Sequence, residues 1–196
     1  MFALYAEVRE ADDPAAARQR WCAVRAALLC DHPQSPRPGA RPEYFPYDPA
    51  WRFVAEVAPA EPEPRKIAGS GPEPFGATRF AFARFGDREL ELFWLEGYGG
   101  GIFLPFGDAT SGAETYGGGR YLLDTVKGAD LGAEGEELML DFNFAYNPSC
   151  AYDPKWACPL SPPANQLAVA VTAGEKKPEV GLEPTHSRLQ IARSTS

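Results

Sequence analysis

Apolar residues recur at helical spacing over only one long stretch of this chain. Trp21, Val24, Leu28 and their neighbours mark residues 14–30 as a helix, with Pro14 suited to its first turn and Asp12 or Asp13 to its cap. Six prolines then crowd residues 31–49, which predicts extended chain. Beyond that the pattern shortens to strand-like runs: Trp51–Val57, Arg65–Ala68, Thr78–Phe85, Arg88–Leu95, Gly101–Phe106, Arg120–Asp124, Glu137–Phe142 and Gln166–Thr172. Gly86-Asp87 between the third and fourth runs reads as a two-residue hairpin turn, although Asp-Gly is the commoner order. The pattern predicts a mainly β fold: a single antiparallel β-barrel or β-sandwich of about eight strands with one N-terminal helix. It divides the chain into a helix and Pro-rich segment (1–50), a β domain (51–176) and a flexible polar tail (177–196).

Composition agrees with one globular domain. The chain has 196 residues, 44% of them hydrophobic, with 19 Gly and 20 Pro that favour turns over long helices. A chain of this length hides roughly 70% of its unfolded surface. Net charge is −8, and residues 93–176 concentrate it, with eleven Asp/Glu against four Lys/Arg. That field opposes phosphate backbones and anionic lipid, so neither nucleic acid nor a membrane is expected as a partner. The first ten residues lack a basic start followed by an apolar run, and no apolar stretch approaches the roughly 18 residues of a membrane span, so a cytoplasmic location is expected. The oligomeric state is left open.

The densest chemistry lies in Asp141-Phe142-Asn143-Phe144-Ala145-Tyr146-Asn147-Pro148-Ser149-Cys150-Ala151-Tyr152-Asp153-Pro154-Lys155-Trp156-Ala157-Cys158-Pro159-Leu160, closing at Asn165. Pro-rich loops of this length inside a compact domain are functional or disordered, and the aromatics argue against disorder. Asp141, Asn143 and Asn147 suit sugar hydroxyls, a hard cation or an oriented water; they equally suit a network that pins the loop. Tyr146, Tyr152 and Trp156 could stack on a ligand ring or form the loop's own core. Upstream, Asp108, Ser111, Glu114, Tyr116 and Arg120 could converge as two carboxylates and a guanidinium on a polar ligand, or make a turn with a buried ion pair. Gly117-Gly118-Gly119 leads into a strand-like run and lacks the phosphate-loop pattern. Glu96–Leu104 and Glu114–Leu122 echo each other, each placing a tyrosine and three glycines before a strand.

Four cysteines are too few for a disulfide scaffold. Cys22 and Cys30 lie eight apart on one helix, roughly 12 Å at 1.5 Å per residue, too far to share a zinc ion, and no metal site is expected. Cys150 and Cys158 could be buried thiols, a loop-closing disulfide or a redox pair. With His32 in the Pro-rich segment and His186 in the tail, histidine-based catalysis is disfavoured. Lys176 beside Glu175 reads as an exposed ion pair at a strand end.

Several of these blocks together resemble the bacterial and archaeal domain-of-unknown-function family 1684. They are Phe45-Pro46-Tyr47-Asp48-Pro49-Ala50-Trp51-Arg52, Asp108-Ala109-Thr110-Ser111-Gly112, Glu114-Thr115-Tyr116-Gly117 with Gly119-Arg120, Asp141-Phe142-Asn143 with Ala145-Tyr146-Asn147-Pro148, Cys150-Ala151-Tyr152, Cys158-Pro159-Leu160, Pro162-Pro163 with Asn165, and Ala173-Gly174-Glu175-Lys176. The resemblance implies no activity and no cofactor.

Three functions follow. The first is a domain binding a small polar ligand through an acidic, aromatic loop face: Asp108, Ser111, Glu114, Tyr116, Arg120, Asp141, Asn143, Tyr146, Asn147, Trp156 and Asn165. The second is a carboxylate-dependent hydrolase in which Asp108, Glu114 or Asp141 is catalytic and Arg120 steadies developing charge. The third is a structural or interaction domain without ligand, its motif residues acting as a clamp. The first two need the polar groups to meet in one pocket; the third needs them to reach separate backbone partners.

Overall fold

A computed structural model describes residues 1–97 and 99–179. Tyr98, and all but the first three residues of the expected tail, lie outside the described residues. Two helices come first, α1 (Phe2–Arg9) and α2 (Pro14–Asp31). Seven strands follow: β1 (Arg52–Ile67), β2 (Phe75–Phe85), β3 (Arg88–Leu95), β4 (Gly101–Phe106), β5 (Arg120–Asp124), β6 (Ala133–Glu134) and β7 (Glu137–Asp141). All pair antiparallel in one sheet of order β5-β4-β3-β2-β1-β7-β6, curled into a half-barrel.

Local sequence explains most of these elements. Asp13 caps α2, accepting from the amides of Ala15 and Ala16 at 2.9 and 3.1 Å, ahead of Pro14. Gly86 adopts φ +59° and Asp87 does not adopt a positive φ, the pattern of a II′ turn, which explains the Gly-Asp order between β2 and β3. β1 joins two runs expected to be separate. Arg52–Glu56 pair with β7 and Glu56–Ile67 with β2, the two ladders overlapping at Glu56, so its proline-rich half pairs only with β2, across a register shift between Pro59 and Glu63. Proline lacks an N–H to donate, so a one-sided edge accommodates it.

Two differences from the expected elements are instructive. A second short helix, α1, precedes α2 and buries Leu4 and Tyr5. Gln166–Thr172 forms no strand; it runs over the sheet with a parallel bridge from Gln166 to Gly107 and a bond from Ala109 N–H to the Val169 carbonyl in place of a ladder. Its alternating Leu167, Val169 and Val171 pack against the sheet, so the period-2 pattern reports burial without a ladder.

Both faces of the sheet are covered. Leu90, Leu92, Leu104, Phe106, Leu138, Leu140 and Phe142 pack with Leu167, Val171 and Ala173. On the other side Phe93, Leu95, Phe103 and Tyr121 pack with Leu4, Tyr5, Trp21, Phe144 and Tyr146. β2 contributes to both: Ala77 joins the second group and Ala81, Ala83 and Phe85 the first, because a bulge at Phe80 reverses the alternation. Trp21, fully buried, meets Tyr5, Tyr44 and Phe144 edge-on at 6.5, 5.8 and 5.5 Å and anchors α2 to the sheet. Neither described helix is long and apolar enough to cross a membrane.

Candidate functional site

The expected site residues sort into five clusters, the first and third meeting at Glu175. In the first, Arg120 at the start of β5 is 1% exposed. Its guanidinium pairs with Asp108 Oδ2 at 3.0 Å and donates to the carbonyls of Val171 (3.0 Å), Ala173 and Glu175 (3.3 Å), over the Phe106 ring. Asp108 Oδ1 accepts from the Thr110 amide and hydroxyl and from the Val171 amide, while Ser111 Oγ accepts the Asp108 N–H. Burial lowers the Arg120 pKa, with Asp108 opposing the shift. Asp108, Ser111 and Arg120 thus hold residues 171–175 across the sheet. Glu114 stands exposed on the neighbouring turn, its backbone carbonyl accepting from Lys177 N–H, and is not part of this pair.

In the second, Asp141 ends β7 and its Oδ1 accepts from the Asn143 amide and side chain at 2.9 and 2.8 Å. Asn143 holds both backbone atoms of Asp48: Oδ1 accepts its N–H at 2.9 Å and Nδ2 donates to its carbonyl at 2.8 Å. Asp141 Oδ2 is buried with no hydrogen-bond donor, and Arg52 Nε lies 3.6 Å away. Burial raises the Asp141 pKa above the ordinary carboxyl value, against the pull of Asn143 and Arg52. A cleft of about 180 Å³ opens beside it, also lined by Arg9, Arg52 and Phe144.

The third centre is one that reading the sequence missed. Glu175, expected in an exposed ion pair with Lys176, is fully buried. Its carboxylate accepts from Arg25 Nε at 2.6 Å, the Asn147 amide at 3.3 Å, Asn147 Nδ2 at 3.0 Å and the Tyr152 hydroxyl. Burial opposes the Arg25 charge, but Glu175 outweighs it and holds the guanidinium more firmly protonated. Arg25 also sits 4.7 Å over the Tyr146 ring, so Tyr146 supports this pair from within the core. Arg18, one helical face with Trp21 and Arg25, donates to the Phe45 carbonyl at 2.8 Å. The signal was that face itself: arginines at i and i+7 flanking a buried tryptophan. Just before the acid, Gly174 has φ +75°, and a Cβ there would meet the Ala145 and Phe142 carbonyl oxygens at 2.7 Å. Only glycine fits that close crossing.

The fourth place is Asn165, which repeats the grip of Asn143. Its Oδ1 accepts from Glu91 N–H, and its Nδ2 donates to the Glu91 and Pro105 carbonyls at 3.0 and 2.7 Å. The fifth brings Tyr116, Cys150 and Cys158 together. The Tyr116 hydroxyl lies 3.6 Å from Cys150 Sγ, and Cys150 N–H donates to Cys158 Sγ at 3.3 Å. Ser70 Oγ accepts the Cys158 N–H at 3.0 Å and donates to the Trp156 carbonyl. Trp156 is partly exposed over a cleft of about 160 Å³ that Cys158, Phe103 and Tyr121 also line. Among the described residues, no group of three or more His, Cys, Asp and Glu is placed to hold a metal ion.

A larger cavity, about 360 Å³, lies on the first-described face of the sheet and contains none of these residues. Val57 and Pro59, Phe80, Leu92, Ile102, Leu123 and Leu138 line it, drawn from β1, β2, β3, β4, β5 and β7. A pocket lined from six strands of one curled sheet is its concave side. Thr125, Asp130 and Glu136 stand at its polar rim.

The fold and these clasps define a polar-stapled antiparallel half-barrel. The model of the family "Protein of unknown function (DUF1684)" matches residues 41–176, and the chain belongs to that family. It is similar to the solution NMR structure of the uncharacterised protein from gene locus rrnAC0354 of Haloarcula marismortui, with 32% identity over 81% of this chain and 91% of that one, and a TM-score of 0.56. A search of curated proteins finds no match.

Proposed function

We propose that this domain is a small-molecule binding module whose ligand occupies the concave cleft of the half-barrel, and that the motif residues form the frame that keeps the cleft open. The observation that carries the reading is the cleft of about 360 Å³, lined by apolar side chains from six strands and edged by Thr125, Asp130 and Glu136. Concave, mainly apolar pockets of roughly 300–1,000 Å³ with a few polar groups are the usual form of a small-ligand site. The lining selects an apolar body, and the rim selects a hydroxyl or cationic end over a carboxylate. The framing role rests on the partners of Asp108, Arg120, Asn143, Asn147 and Asn165, which bind backbone groups of Val171 (twice), Asp48, Lys176 and Pro105. Asp108 has donors on both oxygens, which disfavours it as a hydrolytic base.

The test uses Nile red with decanol, decyltrimethylammonium and decanoate as competitors. Decanol and decyltrimethylammonium displace the dye and decanoate at equal concentration does not. Val57→Trp, which fills the cleft from its half-buried edge, abolishes dye binding with an unchanged unfolding midpoint. Equal dye binding by a folded Val57→Trp variant refutes the reading.

A second reading keeps a small polar ligand, at Asp141. It rests on the donor-less Oδ2 beside Arg52 in the cleft of about 180 Å³. Chemical-shift changes confined to Arg9, Arg52 and Asp141 on adding polyols favour it; shifts confined to the sheet cleft refute it.

A further inference from the structure

Within the 149–159 loop the two cysteines come together, Cys158 Sγ lying 3.3 Å from the Cys150 nitrogen. The Tyr116 hydroxyl lies 3.6 Å from Cys150 Sγ, and Cys158 Sγ accepts the Cys150 N–H. Ser70 fixes the Cys158 side of the loop through both its N–H and its hydroxyl, and Leu160 N–H bonds to the Ala68 carbonyl at 2.8 Å. Cys150 and Cys158 are 7% and 8% exposed, and the cleft beneath Trp156 ends on Cys158 and Ser149. All four cysteines are free. Cys22 and Cys30 share α2, where roughly 12 Å of helix rise separates them.

We propose that Cys150 and Cys158 form a reversible dithiol–disulfide site, in which Cys150 attacks a small hydroperoxide and Cys158 closes the bond. The donors are asymmetric. The neighbouring Cys158 and Tyr116 side chains favour charge on Cys150 and lower it to about 6 against the cost of burial, whereas Cys150 and burial push Cys158 well up. The thiolate is the nucleophile and the neighbouring protonated thiol the resolving group. In the first step Cys150 sulfur bonds to the distal peroxide oxygen and the O–O bond breaks. Sulfur is oxidised by two electrons to a sulfenic acid, and the peroxide leaves as an alcohol, or water, after taking one proton. In the second, Cys158 sulfur attacks the sulfenic sulfur; the S–O bond breaks and water departs with the Cys158 proton. A dithiol reductant restores both thiols and becomes a disulfide itself. Cys158 Sγ already lies 3.3 Å from the Cys150 nitrogen, so side-chain rotation closes the bridge without carrying the loop across space.

The experiment exposes the fully reduced chain to equimolar hydrogen peroxide at neutral pH and maps peptides without reduction. The expected product is a Cys150–Cys158 link, short of two hydrogens, opened by dithiothreitol under native conditions, with Cys22 and Cys30 unlinked. Cys150 reacts about tenfold or more faster than Cys22, whose thiol burial raises to about 11. In Cys158→Ser, dimedone traps a sulfenic acid on Cys150; in Cys150→Ser, Cys158 stays unmodified. A missing link, a link that dithiothreitol leaves closed, or equal oxidation of all four thiols overturns the proposal. Should either serine variant fail to fold, the mapping of the unaltered chain decides alone.

Discussion

Asn165 holds Glu91 by both backbone atoms, its Oδ1 receiving the N–H at 2.8 Å and its Nδ2 reaching the carbonyl at 3.0 Å. One side chain thereby does for β3 what a neighbouring strand's backbone does elsewhere, and its remaining Nδ2 proton ties the Pro105 carbonyl of β4 to the same point. Asn165→Ala removes three bonds at a fully buried position and should cost about 2–4 kcal/mol, read from urea unfolding. Asn165→Asp keeps the acceptor and sets a carboxylate against two carbonyls. Its folded-state pKa is therefore raised, so its penalty should grow as pH rises above the usual carboxyl range and shrink in acid, where the protonated group can donate.

Asp141 gives a second pH test. Its pKa is raised on folding, so its contribution is favourable below the unfolded pKa and is lost as pH rises through the folded one. Asp141→Asn keeps the acceptor for Asn143 and removes the titrating charge. Its unfolding free energy should lie within about 1 kcal/mol of the parent at neutral pH and lack the parent's fall across the pH range just above ordinary carboxyl values. Paired pH series of chemical denaturation check this. A parallel slope in both proteins would contradict the role given to Asp141.

Arg120→Met should lose about 3–5 kcal/mol, because Asp108 keeps a buried charge without its cation. Adding Asp108→Asn should recover part of that loss, since the amide retains an acceptor for Thr110. A double-mutant cycle measures the coupling, and simple additivity would show that the two side chains act independently.

A chain starting at residue 41, where the family match begins, lacks Arg18, Trp21 and Arg25. It should fail to give a cooperative unfolding transition, or be destabilised by more than about 3 kcal/mol, because Glu175 is left buried without its cation. Glu175→Gln in the shortened chain should recover some order, visible as amide protection in hydrogen exchange.

Particular residues show how far the sequence could be read. The Asp13-Pro14 cap, the turn at Gly86-Asp87 and the apolar runs of β3, β4 and β5 are local signals, and these elements form where they are expected. β1 was divided because Pro59, Pro62 and Pro64 look like breakers, and only the pairing on one side makes them harmless. The concave cleft was invisible because the bulge at Phe80 reverses which β2 residues face inward, a fact of register that composition does not carry. Glu175 and Arg25 looked like solvent charges because their partners lie 150 residues apart. In the dense block at 141–165, Asp141 and Asn143 meet, but Asn143, Asn147 and Asn165 reach different backbone partners.

The Arg25–Glu175 contact links a helix outside the family-matched segment to an acid inside it. This ties the histories of two distant positions. A descendant that loses the helix, or changes its arginine, strands a carboxylate in the core unless the acid changes as well. Across the family, then, the residue at the position of Glu175 should reveal whether a basic helix precedes the shared segment.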